Sequence, residues 1–103
     1  MELVPKAVIL SEAEVYSYPN PARGNLVTFK FLVGNDADVT IRVYDVAGEL
    51  VAELSKAGNP AGIASTLDWD ISGKASGVYI YRLEARAAAG QKADVTKKLA
   101  IIH

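Results

Sequence analysis

Apolar and polar residues alternate along most of the chain with a period of two, which is typical of β-strands that bury one face. The run NLVTFKFLV at residues 25–33 and the run DVTIRVYDV at residues 38–46 both follow this pattern. A third run, STLDWD at residues 65–70, places Leu67 and Trp69 on one face. The pattern predicts three separate strands, each with one face toward a core.

Turn-forming residues separate these runs. The sequence AGE around Gly48 is a tight reversal, and it predicts a hairpin between residues 39–44 and residues 50–54. Gly48 suits this place because it can take the positive φ that other residues avoid. The segment KAGNPAGIA at residues 56–64 contains two glycines and a proline, and it is predicted to be a loop.

Two more strands are predicted in the second half of the chain. The segment SGVYIYRLEA predicts a strand over residues 78–86, and KADVTKKLAIIH predicts a final strand over residues 92–103. Short apolar runs at residues 7–10 and 15–18 add strand signal near the start. No segment carries a convincing helical period.

About seven short strands without helices predict an all-β fold, an immunoglobulin-like antiparallel β-sandwich. Large side chains on the inward faces would fill the space between the two sheets and leave no pocket for a reaction. The residues predicted to form this core are Phe29, Phe31, Ile41, Val43, Trp69, Tyr79, Tyr81 and Leu83.

The composition is that of one folded domain. A chain of 103 residues, of which 50% are hydrophobic and 22% charged, is long enough for one core and too short for two. Its net charge of −1 offers no basic surface for nucleic acid. No segment approaches the roughly 18 apolar residues of a membrane-spanning helix, and no signal-peptide pattern stands at the start. These features fit a monomeric cytosolic protein or a module of a longer exported protein.

Candidate catalytic groups are few. Asp68 and Asp70 would project from one strand face about 6.5–7 Å apart, a separation that suits some glycosidases, but both flank a core tryptophan on the solvent side. Asp36 and Asp38, or the Asp68 pair, could offer carboxylates to calcium, although neither follows the order of a dedicated calcium loop. The only histidine is His103, at the end of the chain. We predict a protein that is not an enzyme and needs no cofactor or metal.

The aromatic residues Tyr16, Tyr18 and Trp69 have two interpretations. They could form a platform for polysaccharide, or they could pack at alternating strand positions in the core. The alternation favours the core and leaves polysaccharide as a second class of partner.

Five motifs follow one another in an order that resembles one superfamily. They are YPNPARGN (residues 18–25), VTIRVYDVAGELVAEL (39–54), LDWD (67–70), SGVYIYRLEA (76–85) and TKKLAII (96–102). This order resembles the bacterial C-terminal sorting domains of the type IX (Por) secretion system and the similar immunoglobulin-like domain of flagellar hook-capping proteins. The resemblance implies a C-terminal module at residues 16–103, preceded by a linker or first strand at residues 1–15. The turn residues of these motifs are Pro19, Asn20, Pro21, Gly48 and Gly77.

The resemblance implies a non-catalytic module of a larger exported bacterial protein that is secreted or held at the cell surface. Its partner would be the secretion machinery or an upstream domain of the same chain. Residues expected to carry recognition are Lys97, Lys98, Leu99, Ile101 and Ile102. A recognised tail should offer an accessible strand edge, whereas a tail that only completes the sheet should be paired on both sides.

Two other functions stay open on the sequence alone. One is an accessory carbohydrate-binding or spacer module of an extracellular glycan-degrading enzyme. The other is a structural domain of a hook-cap-like assembly.

Overall fold

The computed structural model describes residues 10–87 and 90–103, which form seven β-strands in two antiparallel sheets. The predicted all-β sandwich of about seven strands is confirmed, and the described residues contain no helix. Accordingly, nothing in this part of the chain is a helix long and apolar enough to cross a membrane. The strands are β1 (Leu10–Tyr18), β2 (Leu26–Val33), β3 (Ala37–Tyr44), β4 (Leu50–Asn59), β5 (Ser65–Asp70), β6 (Gly77–Ala87) and β7 (Lys92–Ile101).

The two sheets have the strand orders β1-β2-β5 and β4-β3-β6-β7. Antiparallel pairing gives the sandwich two ends. At one end, which we call the proximal pole, Leu10 pairs with Val33. At the other end, the tail pole, Gly77 pairs with Ile101 close to the end of the chain. The turn between β3 and β4 also lies at the tail pole, because Tyr44 at the end of β3 pairs with Leu50.

A chain of aromatic rings joins the two sheets. The Phe29 ring of β2 lies 4.8 Å from the Tyr81 ring of β6 and 6.3 Å from the Trp69 ring of β5, measured between centroids. Trp69 in turn lies 6.2 Å from Tyr79 of β6, edge to face. Such pairs stabilise a core beyond the area that they bury. Residues that lie buried in this core include Phe29, Phe31, Ile41, Val43, Trp69, Tyr79, Tyr81 and Leu83.

Strand β4 is longer than the sequence predicted, because it continues through residues 56–59 of the expected loop. The register slips there, so that two residues of β4 face the single residue Asp38 of β3. Gly58 sits in this bulge with a φ of +69°, and its N–H donates to the Asp38 carboxylate at 2.9 Å. A glycine in a bulge bends the strand without ending it, which is why the Gly and Pro signal was misleading.

The predicted hairpin between β3 and β4 is present, and its turn runs from Asp45 to Glu49. Gly48 has a φ of +86°, which a residue with a side chain rarely adopts. The Asp45 carboxylate accepts hydrogen bonds from the N–H groups of Ala47 and Glu49 at 2.9 and 3.0 Å. The turn is therefore held by its own aspartate as well as by backbone bonds.

Strand β1 includes both sides of the predicted domain boundary, since it runs from Leu10 to Tyr18 without a break at residues 15 and 16. The start of the predicted apolar run, residues 7–9, lies outside the described residues. After β1 come Pro19, Asn20 and Pro21, and the peptide bonds that precede both prolines are cis.

Candidate functional site

The last strand, β7, has one buried and one exposed face. Leu99 and Ile101 point inward, and each is only 1% exposed. Lys98 lies on the outward face, and Ile102, just beyond the strand, is 38% exposed. Lys97 lies on the inward face and is half-buried. Of the five tail residues, the folded domain thus leaves Lys98 and Ile102 accessible to solvent.

Residues 19–22 lie along the outer edge of β7, and we call this segment the strap. The side chain of Asn20 imitates a neighbouring strand. Its amide oxygen accepts a hydrogen bond from the Ala100 N–H at 3.1 Å, and its amide nitrogen donates to the Lys98 carbonyl at 3.3 Å. The Asn20 side chain therefore satisfies one backbone N–H and one backbone carbonyl on the free edge of β7.

The backbone of the strap continues this pairing. The Ala22 N–H donates to the Ala100 carbonyl, and the Ala22 carbonyl accepts from the Ile102 N–H, both at 2.8 Å. Ala22 itself is fully buried. The edge of β7 from residue 98 to residue 102 is therefore paired with the chain's own strap and is closed to another strand.

The first half of the β7 edge is different. Along an edge strand, the N–H and C=O groups of every second residue point away from the neighbouring strand. In β7 the backbone groups of Asp94 and Thr96 therefore point away from β6, as those of Ala100 do. Within the described residues, no backbone hydrogen bond joins Asp94 or Thr96 to a further strand. The edge of β7 is therefore neither fully open nor fully paired. Near the tail pole the strap pairs with it, whereas at Asp94 and Thr96 no further strand does.

Replacing Asn20 by alanine should free the edge of β7. Removing these two hydrogen bonds costs about 1–3 kcal/mol of unfolding free energy, since each contributes on the order of 0.5–1.5 kcal/mol. We expect faster hydrogen exchange at the Ala100 amide, measured by NMR. The matched control is Asn25→Ala, an exposed asparagine outside the strap. Equal Ala100 exchange in both variants would show that the strap does not hold the edge.

On each side of the sandwich, a lysine side chain links the edge strand of one sheet to the edge strand of the other. The Lys97 ammonium of β7 donates to the carbonyl of Val15 in β1. On the other side, the Lys56 ammonium of β4 donates to the carbonyl of Thr66 in β5 at 3.4 Å. Inward charges on edge strands discourage pairing with other chains. Lys97 therefore has a structural partner, the Val15 carbonyl. The sequence gives a signal for this, because Lys97 alternates with the apolar residues Val95, Leu99 and Ile101 on the inward face of β7.

Tyr81 pairs with Lys97 in the register of β6 and β7, and its side chain is buried. Burial raises the pKa of the Tyr81 phenol above the ordinary value of 10.0, and the Ser17 hydroxyl works in the opposite direction. Burial is the larger of the two effects. The neutral phenol is therefore the form that the fold prefers.

This preference predicts a loss of stability in alkali. A folded-state pKa above the unfolded value stabilises the fold fully below pH 10, and that contribution disappears as the pH rises through the folded pKa. Urea unfolding between pH 8 and pH 11 should therefore show a steeper decline for the unmodified chain than for Tyr81→Phe. Parallel declines would contradict the assignment.

The end of the chain is fixed to the loop between β5 and β6. The His103 N–H donates to the Ser76 hydroxyl at 2.8 Å, and His103 Nε2 lies 3.1 Å from the carbonyl oxygen of Ile71, which can only accept. In the same loop, the Tyr79 hydroxyl donates to the Ala75 carbonyl at 2.7 Å. His103 thus makes structural contacts, because its ring meets a backbone carbonyl and the Ser76 hydroxyl binds its backbone N–H rather than its ring.

The aspartates considered as ligands or catalysts each accept a hydrogen bond that organises a turn or a strand pair. The Thr28 hydroxyl, for example, donates to Asp68 at 2.8 Å. Hydrogen bonds from Ser72 lower the pKa of Asp70, so this carboxylate is a poor proton donor. Across residues 10–87 and 90–103, no three acidic, histidine or cysteine side chains are grouped so as to hold a metal ion.

The three aromatic residues considered for polysaccharide are not brought together. Tyr16 and Tyr18 are exposed, with ring centroids 6.0 Å apart and planes tilted by 41°. Trp69 is buried at 7% exposure against Phe29 and Tyr79. A flat platform of three rings is therefore not formed.

Comparison with protein families decides what this sandwich is. The family model described as the secretion system C-terminal sorting domain matches residues 16–102, which is most of the chain. The chain belongs to this family. None of the curated proteins matches the chain.

Two solved structures resemble the sorting domain. Dimeric latent PorU from Porphyromonas gingivalis is 27% identical with a TM-score of 0.71, and the match covers 86% of this chain but only 9% of PorU. CopC from Methylosinus trichosporium OB3b is 19% identical with a TM-score of 0.58, and the match covers 85% of this chain and 90% of CopC. At this identity the CopC likeness concerns the fold alone.

Membership in this family makes the sorting domain the C-terminal module of a larger exported bacterial protein, which is released or attached at the cell surface. A domain of this kind is generally non-catalytic. The family does not favour a carbohydrate-binding or hook-cap function. The sequence marks Asn20, between two prolines, as a turn residue. It does not indicate that this residue pairs with β7.

Proposed function

We propose that the folded sandwich, rather than an extended tail peptide, is the export signal that type IX machinery recognises. The observation that carries this proposal is the burial of Leu99 and Ile101 in the core, together with the strap on the β7 edge. A machine that needed these side chains directly would have to unfold the domain. A machine that recognises the folded surface finds Lys98 and Ile102 accessible.

The five tail residues would then have different duties. Leu99 and Ile101 anchor β7 in the core, and Lys97 closes the side of the sandwich toward Val15. Lys98 and Ile102 remain for contact with the machinery. We further propose that residues 16–103 act as a monomer without catalytic activity, and that the partner is a component of the secretion machinery.

The proposal is tested by fusing residues 1–103 to the C terminus of a periplasmic reporter in a bacterium with an active type IX system. The whole chain is used because β1 begins at Leu10, before residue 16. We expect reporter activity in the medium or on the cell surface. The control is the same fusion in a strain whose type IX system is disabled. A reporter that stays in the periplasm of both strains would overturn the proposal.

A further inference from the structure

The outward face of the β4-β3-β6-β7 sheet is divided into a charged band and an apolar band. In the charged band, Arg42 Nε bonds to the Glu53 carboxylate at 2.8 Å, and Arg82 Nε bonds to the Asp94 carboxylate at 2.7 Å. The charges of this band are therefore paired within the domain. They offer little unsatisfied charge to a partner.

The apolar band lies one step nearer the tail pole. Tyr44 pairs with Ile80, and Ile80 pairs with Lys98, so these three form one row across the sheet. Val78 and Ala100 form the next row, and Val78 is 47% exposed. We call these five residues the tail face. A shallow depression of about 330 Å³, lined in part by Tyr44 and Ile80, runs beside them.

Lys98 has no counter-charge on the tail face. Its neighbour across the strand pair is Ile80, and its outward neighbours along β7 are Thr96 and Ala100. The salt bridges formed within residues 10–87 and 90–103 do not include Lys98. An exposed ammonium beside the apolar side chains of Ile80 and Ala100 would gain most from a carboxylate that arrives with an apolar partner surface.

We propose that the tail face binds a protein of the secretion machinery through an apolar surface that presents a carboxylate to Lys98. This inference rests on the proposed function and names the surface that serves it. Contact through the face follows from the strap, because the strap already pairs with the β7 edge beside Lys98. Strand addition at this place would have to displace Asn20 and Ala22.

Two other occupants fit the tail face less well. A second copy of the domain would bring Glu53 and Asp94 from the same face, and both are already bonded to arginines. An anionic membrane surface is held by clusters of lysine and arginine. Here Lys98 is the single cation among the five residues of the tail face, and the net charge of the chain is −1.

The test is a charge series at position 98 in the exported reporter fusion of residues 1–103. Lys98→Arg keeps the charge and should keep export within about twofold, whereas Lys98→Glu should lower export by about tenfold or more, since it opposes a carboxylate. Lys98→Gln should fall between them. The matched control is Lys92→Glu, an exposed lysine on the same strand and the same face, near the proximal pole. It should be exported like the unmodified fusion.

Unfolding of each purified variant in urea separates lost recognition from lost folding, and if Lys98→Glu unfolds, Lys98→Gln decides. Equal export of the unmodified and Lys98→Glu fusions would overturn this inference alone. Retention of the unmodified fusion would overturn the proposed function as well. Dimers that Lys98→Glu abolishes in sedimentation, or flotation of the domain with phosphatidylglycerol vesicles, would assign the face to a second copy or to a membrane instead.

Discussion

Replacing Leu99 by alanine lowers the free energy of unfolding of the sorting domain by about 2–5 kcal/mol. Leu99 is 1% exposed and lies between Lys97 and Ile101 on the inward face of β7. The loss has two parts, because the leucine no longer removes apolar area from water and the core retains a cavity. Urea denaturation followed by tryptophan fluorescence measures it through Trp69, the only tryptophan.

The matched control for this prediction is Ile102→Ala. Ile102 is in the same tail but is 38% exposed, so its truncation should change stability by no more than about 0.5–1 kcal/mol. If both substitutions cost the same, the tail does not divide into anchoring and accessible residues. A similar division is expected in export, where Leu99→Ala should fail only at temperatures at which the domain unfolds.

Replacing Phe29 by alanine should have the largest effect, a loss of about 3–5 kcal/mol of unfolding free energy. The Phe29 ring lies between the Trp69 ring of its own sheet and the Tyr81 ring of the facing sheet. Its removal interrupts the aromatic chain that joins the sheets. Domains of this size are stabilised by only about 5–15 kcal/mol in total, so this loss is a large share of the stability and should clearly lower the midpoint of thermal unfolding.

The control for Phe29 is Tyr16→Ala on the adjacent strand. The Tyr16 ring is 42% exposed and has Tyr18 and Lys30 as aromatic and cationic neighbours. Its loss should cost about 1 kcal/mol or less. Thermal unfolding followed by circular dichroism compares the two variants. A Phe29→Ala domain as stable as Tyr16→Ala would contradict the central place of the ring.

Alternation predicted the strands of this fold well, because a half-buried strand must present apolar residues at every second position. The runs at residues 25–33 and 38–46 became β2 and β3, and Gly48 marked the hairpin turn. The end of β4 was missed, because Gly58 and Pro60 usually stop a strand. In this domain Asp38 binds the Gly58 N–H, and a bulge lets pairing continue to Asn59.

The site was less predictable than the fold. The strap and β7 are far apart in the sequence, as the separation of 80 positions between Asn20 and Ala100 illustrates. No local pattern states that an asparagine side chain will bond to a strand so distant. Lys97 and Lys98 look alike as neighbours in TKKLAII, but the pleat turns one toward Val15 and the other toward solvent. Register decides their duties, and register is a property of the folded sheet.

The two poles of the sandwich have a consequence for the protein that carries it. Leu10 lies at the proximal pole, and β1 reaches Tyr18 beside the tail pole after five steps along its partner strand, from Val33 to Thr28, or roughly 17 Å. Leu10 and Lys98 therefore lie toward opposite ends of the domain. A partner that binds Lys98 would therefore leave the Leu10 end of the domain uncovered.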